Sequence, residues 1–580
     1  MAKTIYRIYP GIGIARIGNS DKFYIGPESP TMPLEHVPTV DGKKQFKADG
    51  KILKQAARFR IYEIEIDNNG VERANREITV SDSVKIEWHV TLCNRKAASV
   101  EVPRKTNRLR NKGYDRHRLI LKSQVSISSE DKAEKKATDE ISFLNTSKEK
   151  TEGKATVLLG KLKTDKKGRL LVLGGDGVAA SPLQEPKPLD DSYNNNGWYD
   201  DCCDGPVKAR MFEDGQERTV ESAWVVVAPP NYAPEINSSV TWYDQAKNAE
   251  YLKLKKLDDQ ISKQKVEGMQ TPYFTQDIFP ILDSVMRLRW VSPSAYYGHL
   301  GKKANYSDPG LLTSLSELID PPPQGKTTLT PDEAKREDKR KDNRKKREHV
   351  FAWLVEPNTK ADKASDCMPS DRDNTKRMPM FYSGLNPHDK NVEDGSALTE
   401  FVHTSLTDLQ YKQISEWSKG IFIADWISAP KAKPFKEMPL EEQPHALDRA
   451  ALETCNGAPF YPGIEACYRI ARPDTYSAPF RINPNHREGY LTELMAVPWH
   501  ADFATCGRLW WPANRPVHVR IKNDDGAYSL KPFARDFETR VPKKFKSMVQ
   551  NWCQLGFVVK DGDGYTEQER GTIAKVREKN

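Results

Sequence analysis

Residues 84–92, VKIEWHVTL, alternate without a break: Val84, Ile86, Trp88, Val90 and Leu92 share one side, and Lys85, Glu87, His89 and Thr91 share the other. A period of two held over nine residues fits a half-buried antiparallel strand and no helix. The pattern recurs nearby. Tyr62, Ile64 and Ile66 alternate and run into Asn68-Asn69-Gly70, a turn signal. Residues 156–173 read as a hairpin around TDKKGR, and AWVVVA, 223–228, as a short buried strand stopped by Pro229-Pro230. The first 230 residues are therefore expected to be β-rich. The fold class that follows is α+β with a large antiparallel β component, not a doubly wound sheet. Gly11-Ile12-Gly13 followed by Gly18 does not change this. The third glycine is out of place for a phosphate loop and no amphipathic helix follows, so the stretch reads as a strand-turn.

A length of 580 residues allows about three to four units, or one interlocked body of two larger domains. The change in pattern puts a boundary near 235, with a β-rich region over 1–235 and a mixed, loop-rich region carrying the site over 236–580. The middle of the chain reads as more helical, with charged interruptions at about 130–154 and 330–349. In the second, Thr330 can cap a helix, Pro331 fits its first turn and Glu333 completes a capping box. Asp332, Glu333, Glu337, Asp338 and Asp342 are interleaved with the basic residues, which favours pairing along a solvated face over nucleic-acid binding. This helix is expected to be exposed and dispensable for chemistry. Near the C-terminus, KKFKSMVQNWCQLGFVV (543–559) places Phe545, Met548, Val549 and Trp552 on one helix face. Gly556 should end the helix and Phe557–Val559 continue as a strand.

Lys and Arg number 90 and Asp and Glu 81, a net charge of +9, too mild an excess to imply nucleic acid. No apolar run reaches eighteen residues, so no transmembrane helix is expected. The first residues, MAKTIYRIYPGIGIARIG, do not read as a signal peptide, because the apolar stretch is short and contains Arg16. Cytoplasmic synthesis is the expectation, with non-classical release left open. The cysteines at 93, 202, 203, 367, 455, 467, 506 and 553 are scattered and include no CxxC, which suits neither a disulfide framework nor a zinc ribbon.

Chemistry concentrates in WHADFATCGRLWWPANRP, 499–516, where Asp502 and Cys506 stand four apart among Trp499, Trp510 and Trp511. His500, Asp502 and Cys506 are types that suit zinc, but no second cluster closes the shell. A nucleophilic Cys506 is poorly served, because Asp502 nearby raises the thiol pKa. Taken alone, Trp552 reads as core on a helix face, and Cys455 and Cys467 read as buried small hydrophobes. A metal-dependent enzyme and a catalytically dead binding protein, held by the charged helix to an acidic partner, both stay open at this point.

Seven stretches then occur in order: YPGIGIARIGNS (9–20), LGGDGVAASP (173–182), NNNGWYDDCCDGPVKA (194–209), WVVVAPPNYAP (224–234), ALDRAALETCNGAPFYPGIEA (446–466), WHADFATCGRLWWPANRP (499–516) and NWCQLGF (551–557). Together they resemble the cysteine tryptophylquinone-dependent amino acid oxidases, a family with lysine ε-oxidases and glycine oxidases among its members. Cys202-Cys203 departs from the small polar residues of that pattern. The resemblance implies that Cys506 and Trp552 are the cofactor precursors, a thioether to an indole carrying two carbonyl oxygens, and that Asp502 is the catalytic base. It implies a substrate pocket with Cys455, Tyr461, His500 and Trp511, and no external metal or nucleotide. An o-quinone is an electrophile that none of the twenty side chains supplies. An amine bound to it acquires an acidic C–H, which a carboxylate held among tryptophans, its pKa raised by burial, can deprotonate. The implied reaction is oxidative deamination with O2 as acceptor, giving hydrogen peroxide and ammonia. The best-fitting substrate is the ε-amino group of L-lysine, with glycine or another amine as the alternative. The implied partners are a separate flavoprotein that matures the quinone and further copies of the chain in a homo-oligomer, with no nucleic acid and no membrane.

Overall fold

The computed structural model describes residues 3–68, 70–101, 108–299, 305–322, 328–354, 356–357, 406–457, 465–505 and 513–573. Nine strands form one continuous run in the order Leu121–Ser128, Val84–Asn94, Cys203–Glu213, Ala223–Ala228, Ile12–Arg16, Lys54–Ile66, Leu170–Gly174, Lys150–Thr164 and Lys135–Asn145. Every neighbouring pair is antiparallel except Ala223–Ala228 beside Ile12–Arg16. Five shorter strands attach at the sides and bring the sheet to fourteen. The fold is α+β, as the alternation requires. Lys54–Ile66 is long enough to serve two sets of neighbours: Ala56–Phe59 pair with Leu170–Gly174, and Arg60–Ile66 with Lys3–Tyr9. At the far ends the sheet curls round, and the Lys122 N–H donates to the Asp139 carboxylate at 2.7 Å.

Val84, Ile86, Trp88, Val90 and Leu92 all point into this curl and are buried. Trp88 is fully enclosed, and its indole N–H donates to the Gly168 carbonyl at 2.9 Å, tying the strand to the TDKKGR turn. That turn joins Lys150–Thr164 to Leu170–Gly174 in the hairpin read from the sequence.

The stretch at 130–154 is not an interruption of a helical region. It belongs to the hairpin of Lys135–Asn145 with Lys150–Thr164. Ala137, Ile141, Phe143, Val157 and Leu159 are buried while Lys135, Lys136 and Lys154 are exposed. Register shifts after Ala137 and Phe143 break the period of two, so only the outer, charged face was visible in the sequence.

Among the described residues the α-helices begin at Trp242–Leu254, where Thr241 and Asp244 form a capping box. A second core gathers Phe274, Ile278, Leu282, Leu315, Ile414 and Trp417. The basic helix runs over Pro331–Ala352 with the expected Thr330–Glu333 capping box and the ion pairs Asp342–Lys346 (2.7 Å) and Arg344–Glu348 (2.8 Å). It is not uniformly exposed. Asn343, Arg347 and Val350 are buried, Asn343 donates to Glu317 at 3.1 Å, and Arg347 donates to the Glu317 carbonyl at 3.2 Å. Few apolar residues mark this face, because the docking is polar.

The last helix, Lys543–Asn551, stops one residue short of Trp552. Trp552–Gln554 is a tighter 3-10 turn, and the strand Phe557–Asp561 follows. Trp552 therefore stands just past the α-helix and not on its regular face. No helix among the described residues is long and apolar enough to cross a membrane.

Candidate functional site

Two short elements meet at Trp552. One is the helix Trp499–Thr505, whose first five residues are all buried. Its leading N–H groups have no partner within the helix, and the Trp499 N–H donates to the Asp200 carboxylate at 2.9 Å. Asp200 is held in turn by Lys96 at 2.5 Å and by Asn94, both buried. The other element is the loop after Leu170–Gly174. Gly177 has φ +78°, and a Cβ placed on it would lie 2.0 Å from Trp552 Cζ2 and 2.7 Å from Cη2. Only glycine fits there, for both conformation and space.

Trp552 is 4 % exposed. Trp499 meets it edge to face with 5.5 Å between ring centroids, and His500 does so at 5.9 Å. His500 stacks on Trp499 at 3.6 Å. Burial, with Lys96 adding to it, holds the His500 pKa well below the usual range, so the ring is neutral at pH 7. Asp502 lies two residues further along the same helix and is buried. The Trp552 carbonyl accepts from the Tyr232 hydroxyl at 2.8 Å.

A chain of contacts leads from there to Cys455. The Tyr232 N–H donates to the Asn514 carbonyl at 2.9 Å, and the Asn514 amide donates to Glu465. Arg16 pairs with Glu465 at 2.8 Å and also reaches Cys455 Sγ at 3.4 Å. All of these groups are buried. Burial, with Glu465 beside it, pushes the Cys455 thiol up, which leaves it protonated and unreactive as a nucleophile. Cys467 is also buried, with its Sγ on the Asn456 carbonyl at 2.9 Å. Cys202 and Cys203 are fully buried, so the departure from small polar residues is absorbed as packing.

Of the residues singled out from the sequence, Trp552 and His500 are brought together, Asp502 shares the His500 helix, and Cys455 joins through Asn514 and Arg16. Cys506, Tyr461 and Trp511 lie outside the described residues. Sequence reasoning missed Gly177, Asp200, Asp201, Tyr232 and the Arg16–Glu465 pair. Each sits inside one of the seven quoted stretches, but nothing local marks a role. No group of three His, Cys, Asp or Glu side chains among the described residues is placed to hold a metal ion.

Residues 9–227 match the family model of the L-lysine epsilon oxidase N-terminal region, and residues 388–523 match that of the L-lysine epsilon oxidase C-terminal domain. The L-lysine 6-oxidase of Marinomonas mediterranea is 25 % identical over 569 residues, covering 86 % of this chain and 70 % of that protein. The solved ε-lysine oxidase of Marinomonas mediterranea superposes with a TM-score of 0.68 at 21 % identity, over 97 % of this chain and 95 % of that one. A structure of the Schiff base intermediate of that enzyme with L-Lys gives 0.66 at 20 % identity, over 97 % and 95 %. The fold is α+β, and the family models and the L-lysine 6-oxidase relative together place the chain among oxidoreductases. The two family models together match more than half of the sequence, and the chain belongs to the L-lysine epsilon oxidase family.

Proposed function

We propose that this chain is a quinoprotein amino acid oxidase that removes the ε-amino group of L-lysine, with O2 as acceptor and hydrogen peroxide and ammonia as products. Its cofactor is cysteine tryptophylquinone built from Cys506 and Trp552. The observation that carries the reading is the seat of Trp552: a buried indole whose Cζ2–Cη2 side is met by a glycine where no Cβ fits, beside the helix that leads to Cys506. Gly564 meets Trp290 as closely, so what supports the reading is the conjunction at Trp552: a positive-φ glycine on one side, and His500 with Asp502 on the buried helix beside it, residues that fit the group. Such a quinone supplies an electrophilic carbonyl for a primary amine and a ring that takes up two electrons.

The chain's own residues do the rest. Asp502 takes the proton from the substrate carbon. His500, neutral, adds no positive charge against an incoming amine, and with Trp499 it excludes water from the ring. Tyr232 anchors the Trp552 backbone, and Cys455 with Arg16 and Glu465 borders the pocket, together with Tyr461 and Trp511. In this reading the 1–235 region supplies Gly177 and Tyr232, and the 236–580 region supplies Asp502, Cys506 and Trp552. A separate flavoprotein matures the indole, and the chain works as a homo-oligomer.

The test is protein co-expressed with its maturation flavoprotein, digested and weighed, then assayed for peroxide with L-lysine and with glycine. The reading expects one Cys506–Trp552 cross-linked peptide pair carrying two added oxygens, and peroxide from lysine. Peroxide from glycine alone moves the assignment to a glycine oxidase. An unmodified Trp552 under these conditions overturns it.

A further inference from the structure

Asp201 stands behind the loop that meets Trp552, and although it lies within a quoted stretch, the proposed chemistry gives it no role. Its side chain is fully buried. Oδ2 accepts the Gly177 N–H at 2.7 Å and the Val178 N–H at 3.4 Å. Gly175 leaves room for this carboxyl, since a Cβ there would lie 2.3 Å from Oδ2. Among the described residues Oδ1 has no hydrogen-bond partner. Carboxyl, glycine peptide and indole are thus layered in that order.

The neighbours do not turn the carboxyl elsewhere. Asp200 is spent on Lys96 and on the Trp499 N–H. Lys54 is spent on the Gly18 and Gly175 carbonyls and on Asp176. Tyr199, Cys202 and Cys203, which also interact with this carboxyl, carry no positive charge, so Lys54 is the cation acting on it among the described residues. Burial, with Asp200 adjacent, pushes the acid up to about 7. A buried acid that satisfies two adjacent amides through a single oxygen is a costly way to hold a loop. Placed next to Asp200, which grips the helix of His500 and Asp502, it completes a dipeptide that holds both walls of the Trp552 seat.

We propose that Asp201 is a positioning residue for the cofactor indole: it clamps Gly177 against the Cζ2–Cη2 side of Trp552 and so fixes the ring for its oxygenation. The inference rests on the quinone reading above. The experiment compares wild type, Asp201→Ala and Asp201→Asn, each co-expressed with the maturation flavoprotein. The readouts are the fraction of Trp552 peptide carrying two added oxygens, the visible absorption band and the thermal midpoint. In folded Asp201→Ala the oxygenated fraction is expected to fall about tenfold or more, or the band to shift. Asp201→Asn, which keeps an acceptor for the Gly177 N–H, should restore most of it. If Asp201→Ala does not fold, Asp201→Glu, which pushes the loop by one methylene, is read in the same way. A wild-type fraction and band in folded Asp201→Ala or Asp201→Glu, with only the midpoint lowered, overturns the proposal. A loss in Asp201→Asn as deep as in Asp201→Ala also overturns it. A wild type without added oxygens sinks the quinone reading instead.

Discussion

Lys96 and Asp200 form an ion pair of 2.5 Å with both side chains fully buried, 104 positions apart in sequence. The same carboxylate accepts the first N–H of the Trp499–Thr505 helix. Removing one partner of such a pair leaves a charge buried alone, which typically costs about 3–5 kcal/mol. Lys96→Met is therefore expected to lower stability by that order and to loosen the helix that carries His500 and Asp502. Urea unfolding measures the first effect. Hydrogen exchange at the Trp499 amide measures the second, and an unchanged exchange rate would detach the pair from the site.

Gly177→Ala places a methyl into Trp552 at a backbone angle that L-residues rarely adopt. Overpacking of this kind costs about 1–3 kcal/mol. The expected outcome is a lowered thermal midpoint and, on the proposed quinone reading, loss of its absorption band. A variant with wild-type colour would show that the loop yields without moving the indole.

Asp502→Asn keeps shape and removes basicity. If Asp502 served proton abstraction alone, the variant would be coloured and turn over about 10²–10⁴-fold more slowly. On the proposed quinone reading, oxygenating Trp552 and joining it to Cys506 would also require proton removal at this place, so the variant is expected to be colourless and inactive. Absorbance and peroxide release separate the two outcomes, and normal colour with normal turnover removes Asp502 from the mechanism.

Asp204 gives a pH dependence with a defined sign. Its carboxylate accepts from the Thr492 N–H at 2.8 Å, the Thr492 hydroxyl at 2.6 Å and the Trp224 indole N–H at 2.9 Å, yet burial pushes its pKa up to about 6. The folded form therefore holds a proton more tightly than the unfolded chain, whose aspartates titrate near about 4. The stability this contributes is complete below about pH 4 and is lost as pH rises to about 6. Relative to Asp204→Asn, the wild type should lose on the order of 2–3 kcal/mol across that window and nothing further above it. Urea unfolding of both proteins from pH 4 to 7 checks this, and a constant difference would contradict it.

The basic helix divides into two faces. Neutralising Lys335, Arg336, Lys341 and Lys345 should leave turnover and melting nearly unchanged, because exposed ion pairs contribute little. Arg347→Ala removes a buried donor to the Glu317 carbonyl and a cation over the Phe422 ring, and should cost about 1–3 kcal/mol. Equal effects from the two faces would show that the docking of this helix is not the source of its order.

Local pattern carried a good part of the fold. The alternation at 84–92, the turn at TDKKGR and the Thr330–Glu333 box depend on residues within a few positions of one another, and period and capping act at that range. The seven ordered stretches carried the family. The residues that build the Trp552 seat were not legible in the same way. Gly177 and Trp552 are 375 positions apart, and nothing near either announces the other. Asp200 and Asp201 read as two adjacent acids, and the β-hairpin at 130–154 as a charged break, because burial of a charge is decided by what packs over it from elsewhere in the chain. Sequence by itself determined which segments could become strands and capped helices. Only the tertiary structure decided which carboxylates are enclosed and which of two adjacent aspartates faces Lys96 and which faces Gly177. Burial and pairing free energies arise between segments, and no local period encodes them.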